Sequence, residues 1–379
     1  MAYFNNAATT HPKNEEALEK AVAFYKNHAT NVGRNLASAN EGNIIDKARE
    51  SMKKLFCVDD SYIVVFQPSA TYALNVILQG LDFAKVKTVY ISPFEHNAVT
   101  RVLHALRKKH KFDVIELEYC TNLLRYKTES IKKQFNERRP DVVIVSHASN
   151  VFGILAPIKE IFKLAKEHGS FTVADMAQTL GLVETNVIES YIDCAVFAGH
   201  KTLYAMSGVG GFIIKRNIDL EPILFGGTGV DSLSQDMSLN GESRYEIGSQ
   251  NVLAIASLYY SVEYVLQEGV SSIAKNEEKM YNKLVEVLSA YKNIEIVGKS
   301  NNSVGIVSCL FKRLAPDEVE KILHKKGIEV RSGLQCSPSA HKTMGTFPAG
   351  TVRFSVGRYT ADKDIIALQE ALDYIEENT

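Results

Sequence analysis

Lys201 has the local context in this sequence that most directly suggests chemistry. It follows an apolar run at residues 194–197 and ends the segment Ala198-Gly199-His200-Lys201. A lysine at the carboxyl end of a buried strand can have a depressed pKa, and therefore the free amine that Schiff-base formation requires. The Gly-His-Lys triplet alone is weak evidence, because most such triplets are surface turns.

Asp175 provides a chemical context for this lysine. It directly follows another apolar run, at residues 171–174. A buried carboxylate needs a cationic partner, and the protonated ring nitrogen of pyridoxal 5'-phosphate is one that would keep the ring an electron sink. The alternative role for Asp175 is a helix N-cap, which the motif alone would favour.

A candidate anion site follows the apolar run at residues 62–66. Ser69, Ala70 and Thr71 open a predicted helix there. Backbone amides at a helix N-terminus attract anions, and the two hydroxyls could add donors for a cofactor phosphate. As a plain helix N-cap the same residues would carry no functional information.

Two further polar residues follow apolar runs. His96 comes after residues 88–92, and could lie over an aromatic cofactor or move protons. Asn150 comes after residues 142–146, and could donate a hydrogen bond to a phenolic oxygen. Each has an ordinary alternative, a structural histidine in one case and a turn asparagine in the other.

The elements that must position these residues alternate along the chain. Short β-branched runs lie at residues 62–66, 88–92, 114–117, 142–146, 171–174, 194–197 and 211–214, and helical patterns lie at 70–79, 96–110, 128–137 and 158–167. This alternation predicts an α/β fold with a mostly parallel seven-stranded sheet covered by helices on both faces. Ligands bind outside the carboxyl ends of such strands, where the candidate residues lie.

The pattern changes after residue 248. Helices are predicted at 252–266, 271–290, 316–326 and 362–376, and strands at 294–297, 305–310, 329–331 and 351–356. This arrangement predicts a smaller α+β domain. We therefore expect a large domain over residues 13–250 and a small one over 251–379, with residues 1–12 packing on or near the small domain.

Composition excludes several classes of protein. Lys and Arg total 43 against 44 Asp and Glu, so no basic surplus would draw the chain to nucleic acid or a membrane surface. The five cysteines are scattered without a CxxC pair, which argues against a disulfide framework or a metal site. Because neither a signal peptide nor a spanning apolar segment is evident, we expect a cytoplasmic protein.

The order of these residues resembles that of the class V aminotransferase family of fold type I pyridoxal-phosphate enzymes, and within it of the cysteine desulfurases and selenocysteine lyases. The resemblance extends from FNNAATT at residues 4–10 to TVRFSVGRYT at 351–360. It implies that Lys201 is the covalent attachment point, that Asp175 contacts the pyridine nitrogen and that His96 lies on the ring. Asn150 and Gln178 would lie near the phenolic oxygen, and the phosphate would be bound by Ser69, Ala70, Thr71 and His200. The substrate would be bound by Arg353, Asn150 and Ala7.

Cys336 lies in a segment, VRSGLQCSP, that resembles the desulfurase loop carrying the persulfide cysteine. The glycine and proline around it suggest a short restricted loop, and nearby Arg331 favours the reactive thiolate. The loop resembles that of the desulfurases in which this segment is short and ordered. The other four cysteines are predicted to be ordinary packing residues: Cys57, Cys120, Cys194 and Cys309.

The resemblance also implies a homodimer. Residues 244–251 match a family segment that reaches the partner's cofactor phosphate, with Ser249 as the contacting hydroxyl. Four departures from the family pattern suggest a divergent branch: Ala198 in place of serine, Tyr72 in place of glutamate, Gly33 in place of histidine, and YAMSGVGG at residues 204–211 in place of the usual Tyr-Gly-Pro turn.

The leading hypothesis is a cysteine desulfurase that converts L-cysteine to L-alanine, forming a persulfide on Cys336 for transfer to an acceptor protein. One alternative is a selenocysteine lyase acting on L-selenocysteine, for which Cys336 could be dispensable. Others are an aminotransferase, lyase or epimerase of the same family, or a catalytically silent cofactor-binding protein that delivers sulfur through partners.

Overall fold

The elements of the fold are taken from a computed structural model, which describes residues 1–28, 43–227, 235–237 and 241–378. The strands are β1 (Ala2–Tyr3), β2 (Tyr62–Gln67), β3 (Thr88–Ile91), β4 (Asp113–Glu116), β5 (Tyr119–Cys120), β6 (Arg125–Tyr126), β7 (Val142–Ser146), β8 (Phe171–Asp175), β9 (Cys194–Ala198), β10 (Gly210–Lys215), β11 (Ile294–Val297), β12 (Ile306–Phe311), β13 (Ile328–Glu329), β14 (Arg331–Gly333) and β15 (Thr351–Ser355).

The α-helices complete the description. They are α1 (Glu15–Asn27), α2 (Ile44–Phe56), α3 (Ala70–Gln79), α4 (Asn97–Arg107), α5 (Thr128–Glu137), α6 (Ile158–Glu167), α7 (Val252–Glu268), α8 (Val270–Ala290), α9 (Pro316–Lys325), α10 (Pro338–Thr343) and α11 (Asp362–Asn378). Helix α4 begins one residue later than predicted because His96 caps it.

A seven-stranded sheet with the order β2-β10-β9-β8-β7-β3-β4 positions the candidate residues. Only β10 runs antiparallel to its neighbours, so the mostly parallel sheet predicted from the sequence is confirmed. Side chains of α2, α6 and α7 pack on one face, and those of α3 and α4 pack on the other. Burial on both faces explains why these strands are continuous apolar runs.

A second, four-stranded antiparallel sheet has the order β11-β12-β15-β14. Helices α8, α9 and α11 share its hydrophobic cluster, to which Phe4 near the N-terminus also contributes. Strand β1 pairs with β13 and so joins the N-terminal residues to this part of the chain. The single strand predicted at 329–331 is wrong, because the chain changes pairing partner at buried Val330, from β1 to β15.

Within the described residues, the helices are too short or too polar to cross a bilayer. The same residues contain no cluster of three or more His, Cys, Asp or Glu side chains arranged to hold a metal ion.

Glu277 should make the stability of this fold depend on pH. Burial in α8 raises the pKa of its carboxyl to about 7, against the opposing effects of the Gly305 N–H and Arg358. The folded-state pKa exceeds the unfolded value of about 4.3, so its contribution to stability is full below about pH 4.5 and is lost as the pH rises through about 7. This loss amounts to at most about 4 kcal/mol.

We therefore expect the melting temperature of the wild type to fall between pH 5 and pH 8, and to fall less in Glu277→Gln. Exposed Glu278 on the same helix offers a matched control, because Glu278→Gln should keep the wild-type pH dependence. Thermal unfolding at the two pH values measures the difference. An unchanged fall in Glu277→Gln would contradict the assignment.

Candidate active site

The carboxyl ends of β2, β3, β7, β8 and β9 open into one cavity of about 210 Å³. All but one of the predicted site residues line it: Ala7, Ser69, Ala70, Thr71, His96, Asn150, Asp175, Gln178, His200, Lys201, Cys336 and Arg353. The exception is Ser249. The sequence segments that follow five different strands are thus brought together by the sheet, as expected for an α/β fold.

Lys201 lies just beyond β9 and lines the cavity. Burial lowers the pKa of its amine, while the negative charge of Asp175 opposes the shift. Arg353 lowers the pKa further, and Cys336 raises it. The amine is thus more easily deprotonated than an exposed lysine, the property needed for nucleophilic or base chemistry.

Lys13 supports the backbone at this lysine, a role for which no sequence pattern was a signal. Its ammonium donates to the His200 carbonyl at 2.6 Å and to the hydroxyls of Thr9 and Thr10 at 3.1 and 3.0 Å. Burial lowers the pKa of Lys13 to about 8. Lys13 therefore links the N-terminal residues 9–13 by hydrogen bonds to the peptide group that precedes Lys201.

Asp175 ends β8 and pairs in register with Ser146 of β7. Its Oδ1 atom accepts a hydrogen bond of 3.0 Å from the Ala177 N–H in a turn, so the alternative role of a helix N-cap is wrong, because no helix begins there. Burial raises the pKa of this carboxyl, and the positive charge of Lys201 lowers it. A cation in the cavity would stabilise the ionised form.

The N-terminus of α3 points its first turn at the cavity. Ser69 caps the helix by accepting a hydrogen bond from the Tyr72 N–H at 3.3 Å. Gly210 lies close by, and a Cβ atom there would lie 2.9 Å from the Ala70 nitrogen, so a glycine is needed for this approach. Nearby His200 has a buried Nδ1 atom with no hydrogen-bond partner among the described residues.

His96 is the N-cap of α4. Its Nδ1 atom accepts a hydrogen bond of 3.0 Å from the Ala98 N–H, which places the proton of the neutral ring on Nε2. Burial lowers the pKa of His96 to about 4, and the charge of Lys201 adds to the effect. The ring is therefore neutral at physiological pH and retains one N–H donor.

Asn150 and Gln178 connect the cavity to other segments of the chain. The Asn150 amide donates to the Gln335 carbonyl at 2.7 Å and accepts from the Ser337 hydroxyl at 2.6 Å. The Gln178 amide donates to the Ala7 carbonyl at 2.9 Å. Each amide nitrogen keeps a second N–H that these bonds do not use.

Arg353 and Arg331 are directly opposite each other on β15 and β14. Arg353 donates to the Asn150 carbonyl at 2.7 Å and to Asn5 at 3.2 Å, while its Nε atom has no partner among the described residues. Burial and the charge of Arg331 lower the pKa of Arg353 to about 9, so it remains a cation at neutral pH. Opposed like charges are unfavourable, and a bound anion would relieve them.

Cys336 is exposed and lines the cavity, with its Sγ atom 3.9 Å from an Arg331 guanidinium nitrogen. Cys194 and Cys309 are buried, as predicted for packing residues. The same prediction is wrong for Cys57, which is exposed in the left-handed conformation at the end of α2.

Ser249 and two of the positions that depart from the family pattern remain to be located. Ser249 lines a separate cavity of about 460 Å³, together with Tyr72 and Leu224. Ala198 is the last residue of β9 and lines the first cavity. Gly33 lies outside the described residues.

A family model described as Aminotransferase class-V matches residues 2–368. The chain belongs to this family. As a class-V aminotransferase family member, it is also similar to curated proteins over nearly its whole length. A probable cysteine desulfurase of Methanothermobacter thermautotrophicus is 29% identical and aligns with 98% of this chain and 94% of its own. The cysteine desulfurase IscS of Dictyoglomus turgidum is 27% identical, with coverages of 99% and 94%.

The solved structures confirm the fold expected of a class-V aminotransferase. A cysteine desulfurase from Thermococcus onnurineus superposes with a TM-score of 0.88 at 24% identity, and the match covers 100% of this chain and 95% of that one. The cysteine desulfurase CsdA from Escherichia coli gives a TM-score of 0.87 at 21% identity, with coverages of 99% and 94%. The predicted fold type I architecture is therefore confirmed.

Proposed function

We propose that this class-V aminotransferase family member is a pyridoxal-phosphate-dependent cysteine desulfurase that converts L-cysteine to L-alanine and holds the released sulfur as a persulfide on Cys336. One observation carries the proposal: an exposed thiol beside an arginine opens into the same cavity as a half-buried lysine and a buried aspartate. The names of the curated relatives support the same activity.

The residues of the cavity fit the cofactor. The N-terminus of α3 and the unpartnered Nδ1 atom of His200 suit its phosphate. Buried Asp175 suits a protonated ring nitrogen, and Lys201 supplies the amine for covalent attachment. When bound, pyridoxal phosphate withdraws electrons from the substrate and stabilises negative charge at Cα.

Substrate binding is assigned to the two arginines. Arg353 has a fixed, buried guanidinium, which suits two parallel hydrogen bonds to an amino-acid carboxylate. Arg331 adds a second positive charge directly opposite it. Lys201, the pKa of whose amine is lowered by burial, then acts as the base that removes the Cα proton.

Cys336 performs the sulfur chemistry. Its thiolate attacks the substrate sulfur, so that a sulfur–sulfur bond forms while the carbon–sulfur bond breaks and its electron pair stays on carbon. Protonation of that carbon, for which neutral His96 offers its Nε2–H, and return of the proton from Lys201 to Cα together give alanine. The persulfide then transfers its outer sulfur to an acceptor protein.

We also propose that the chain forms a homodimer, that its large domain ends at residue 250 and its small domain begins at residue 251, and that the protein is located in the cytoplasm. The dimer is supported by exposed apolar side chains near the second cavity, among which Phe225 is 74% exposed and Leu224 41% exposed. A partner covering this face would remove them from water. Ser249 lies in the same region, as its assigned role toward the partner's phosphate requires.

The products test the proposed function. Purified holoenzyme given L-cysteine and a reductant should release alanine and sulfide in equal amounts. Formation of a keto acid instead would identify a transaminase, and failure to turn over L-cysteine or L-selenocysteine despite bound cofactor would favour a non-catalytic role.

Arg353→Lys should raise the KM for L-cysteine by about 10- to 100-fold, because a charge-assisted bidentate contact contributes about 1.5–3 kcal/mol and 1.4 kcal/mol corresponds to a factor of ten. The value of kcat should change less. Arg331→Lys should have a smaller effect on KM, since that guanidinium is exposed. Steady-state kinetics separate the two parameters, and an unchanged KM in Arg353→Lys would contradict the assigned role.

A further inference from the structure

Cys336 lies in a backbone conformation that non-glycine residues rarely adopt. Gln335 and Cys336 have φ values of 39° and 62°, two consecutive left-handed residues. Such conformations persist only where the surrounding structure holds them. The flanking side chains are accordingly buried, since Gln335 is 4% exposed and Ser337 is fully buried, whereas Cys336 between them is exposed.

The Gln335 side chain supplies the contacts that hold this turn. Its amide nitrogen donates to the Thr351 carbonyl at 2.9 Å and to the Arg331 carbonyl at 3.3 Å. Its amide oxygen lies 2.9 Å from Nε2 of His341. Gln335 thereby connects the turn to strands β14 and β15 and to helix α10.

The hydrogen-bond pattern fixes the protonation of His341. This residue is fully buried, and its Nδ1 atom lies 2.7 Å from the Thr346 hydroxyl. Because the Gln335 oxygen can only accept, Nε2 of His341 must donate to it, and Nδ1 therefore accepts from Thr346. Burial lowers the pKa of His341 to about 4, which keeps the ring neutral.

We propose that Gln335 and His341 are positioning residues that hold Cys336 with its thiol turned into the cavity. They act through the backbone of the turn: His341 does not line the cavity, and the side-chain amide of Gln335 is engaged by Thr351, Arg331 and His341. The kinetic consequence rests on the proposed function, whereas the conformational claim does not. Loss of the His341 donor leaves a buried amide oxygen unsatisfied and releases the strained turn.

The test compares His341→Leu, which removes the donor, with His341→Gln, which can restore an N–H to the Gln335 oxygen. Exposed His324 on α9 provides the control, as His324→Leu should behave like the wild type. Hydrogen exchange of the peptide spanning residues 331–337 is measured without substrate. We expect exchange to be at least about tenfold faster in His341→Leu and close to wild type in His341→Gln.

Kinetics supply the second measurement. In His341→Leu, kcat for sulfide release should fall about tenfold, while the KM for L-cysteine and the visible absorbance of the bound cofactor stay unchanged. If His341→Leu does not fold, Gln335→Met, which deletes all three side-chain hydrogen bonds at similar volume, takes its place. Unchanged exchange, or faster exchange with unchanged kcat, would overturn the inference. If the wild-type protein itself releases no sulfide, the proposed function is refuted rather than this inference. Hydrogen exchange of residues 331–337 then decides whether His341 holds the turn.

Discussion

The Lys201→Ala variant should lose turnover of L-cysteine by roughly 10²–10⁴-fold or more, the range in which a positioned acid–base group contributes to catalysis. The structure gives a reason for a loss at the upper end, since the same amine is assigned both covalent attachment of the cofactor and removal of the Cα proton. Alanine and sulfide assays measure the rate. Borohydride reduction followed by peptide mass analysis should find the cofactor on Lys201 in the wild type and no modified peptide in the variant.

Lys215 provides the matched control for this experiment. It also ends a strand of the large sheet, β10. It lies opposite the first residue of β2, away from the strand ends that form the cavity, and makes an ion pair with Asp193. Lys215→Ala should therefore keep wild-type turnover and covalent cofactor. Turnover by Lys201→Ala above a tenth of the wild-type rate would show that another residue performs the proton transfer.

The Cys336→Ala variant should bind the cofactor normally but lose sulfide release from L-cysteine by on the order of 10³-fold, because it lacks the nucleophile that accepts the sulfur. Its visible absorbance should match that of the wild type, since the assigned cofactor contacts are made by other residues. Sulfide release in the presence of reductant is the measurement.

Cys57→Ala is the appropriate control for the cysteine variant. Both cysteines are exposed and both have left-handed backbone conformations, with φ values of 55° for Cys57 and 62° for Cys336. Only Cys336 lines the cavity. Undiminished sulfide release by Cys336→Ala would remove this thiol from the mechanism, and retained turnover of L-selenocysteine alone would favour a selenocysteine lyase.

The large sheet could be predicted because its strands are buried on both faces. Strands β7 and β9 each consist entirely of buried residues, so hydrophobicity alone marks them in the sequence. The polar residues that follow such strands could be assigned to one site because parallel strands end at a common edge. The order of residues from Thr71 to Arg353 then gave the family resemblance, which the family model confirms.

Helices α1 and α2 are absent from the sequence-based predictions for different reasons. Helix α1 buries only Ala17 and Ala21, so its apolar face is too small to stand out. Helix α2 does carry a recognisable pattern, with an Asn43 N-cap and buried Ala48 and Met52 four residues apart, and that signal could have identified it.

Other features depended on register and could not be predicted. Arg331 and Arg353 are twenty-two residues apart in the sequence, and only the pairing of β14 with β15 places them opposite each other. The contact between Gln335 and His341 requires a left-handed turn at residues for which glycine would be the usual choice. Local sequence patterns do not encode either arrangement.

A single-turnover experiment without reductant can show whether Cys336 accepts the sulfur of L-cysteine. The holoenzyme is mixed with a stoichiometric amount of L-cysteine, quenched and analysed by peptide mass spectrometry. We expect one equivalent of alanine and a peptide containing Cys336 that is heavier by one sulfur atom, with the Cys57 peptide unmodified. Alanine formed with no added sulfur on Cys336, or sulfur found on another cysteine, would contradict it.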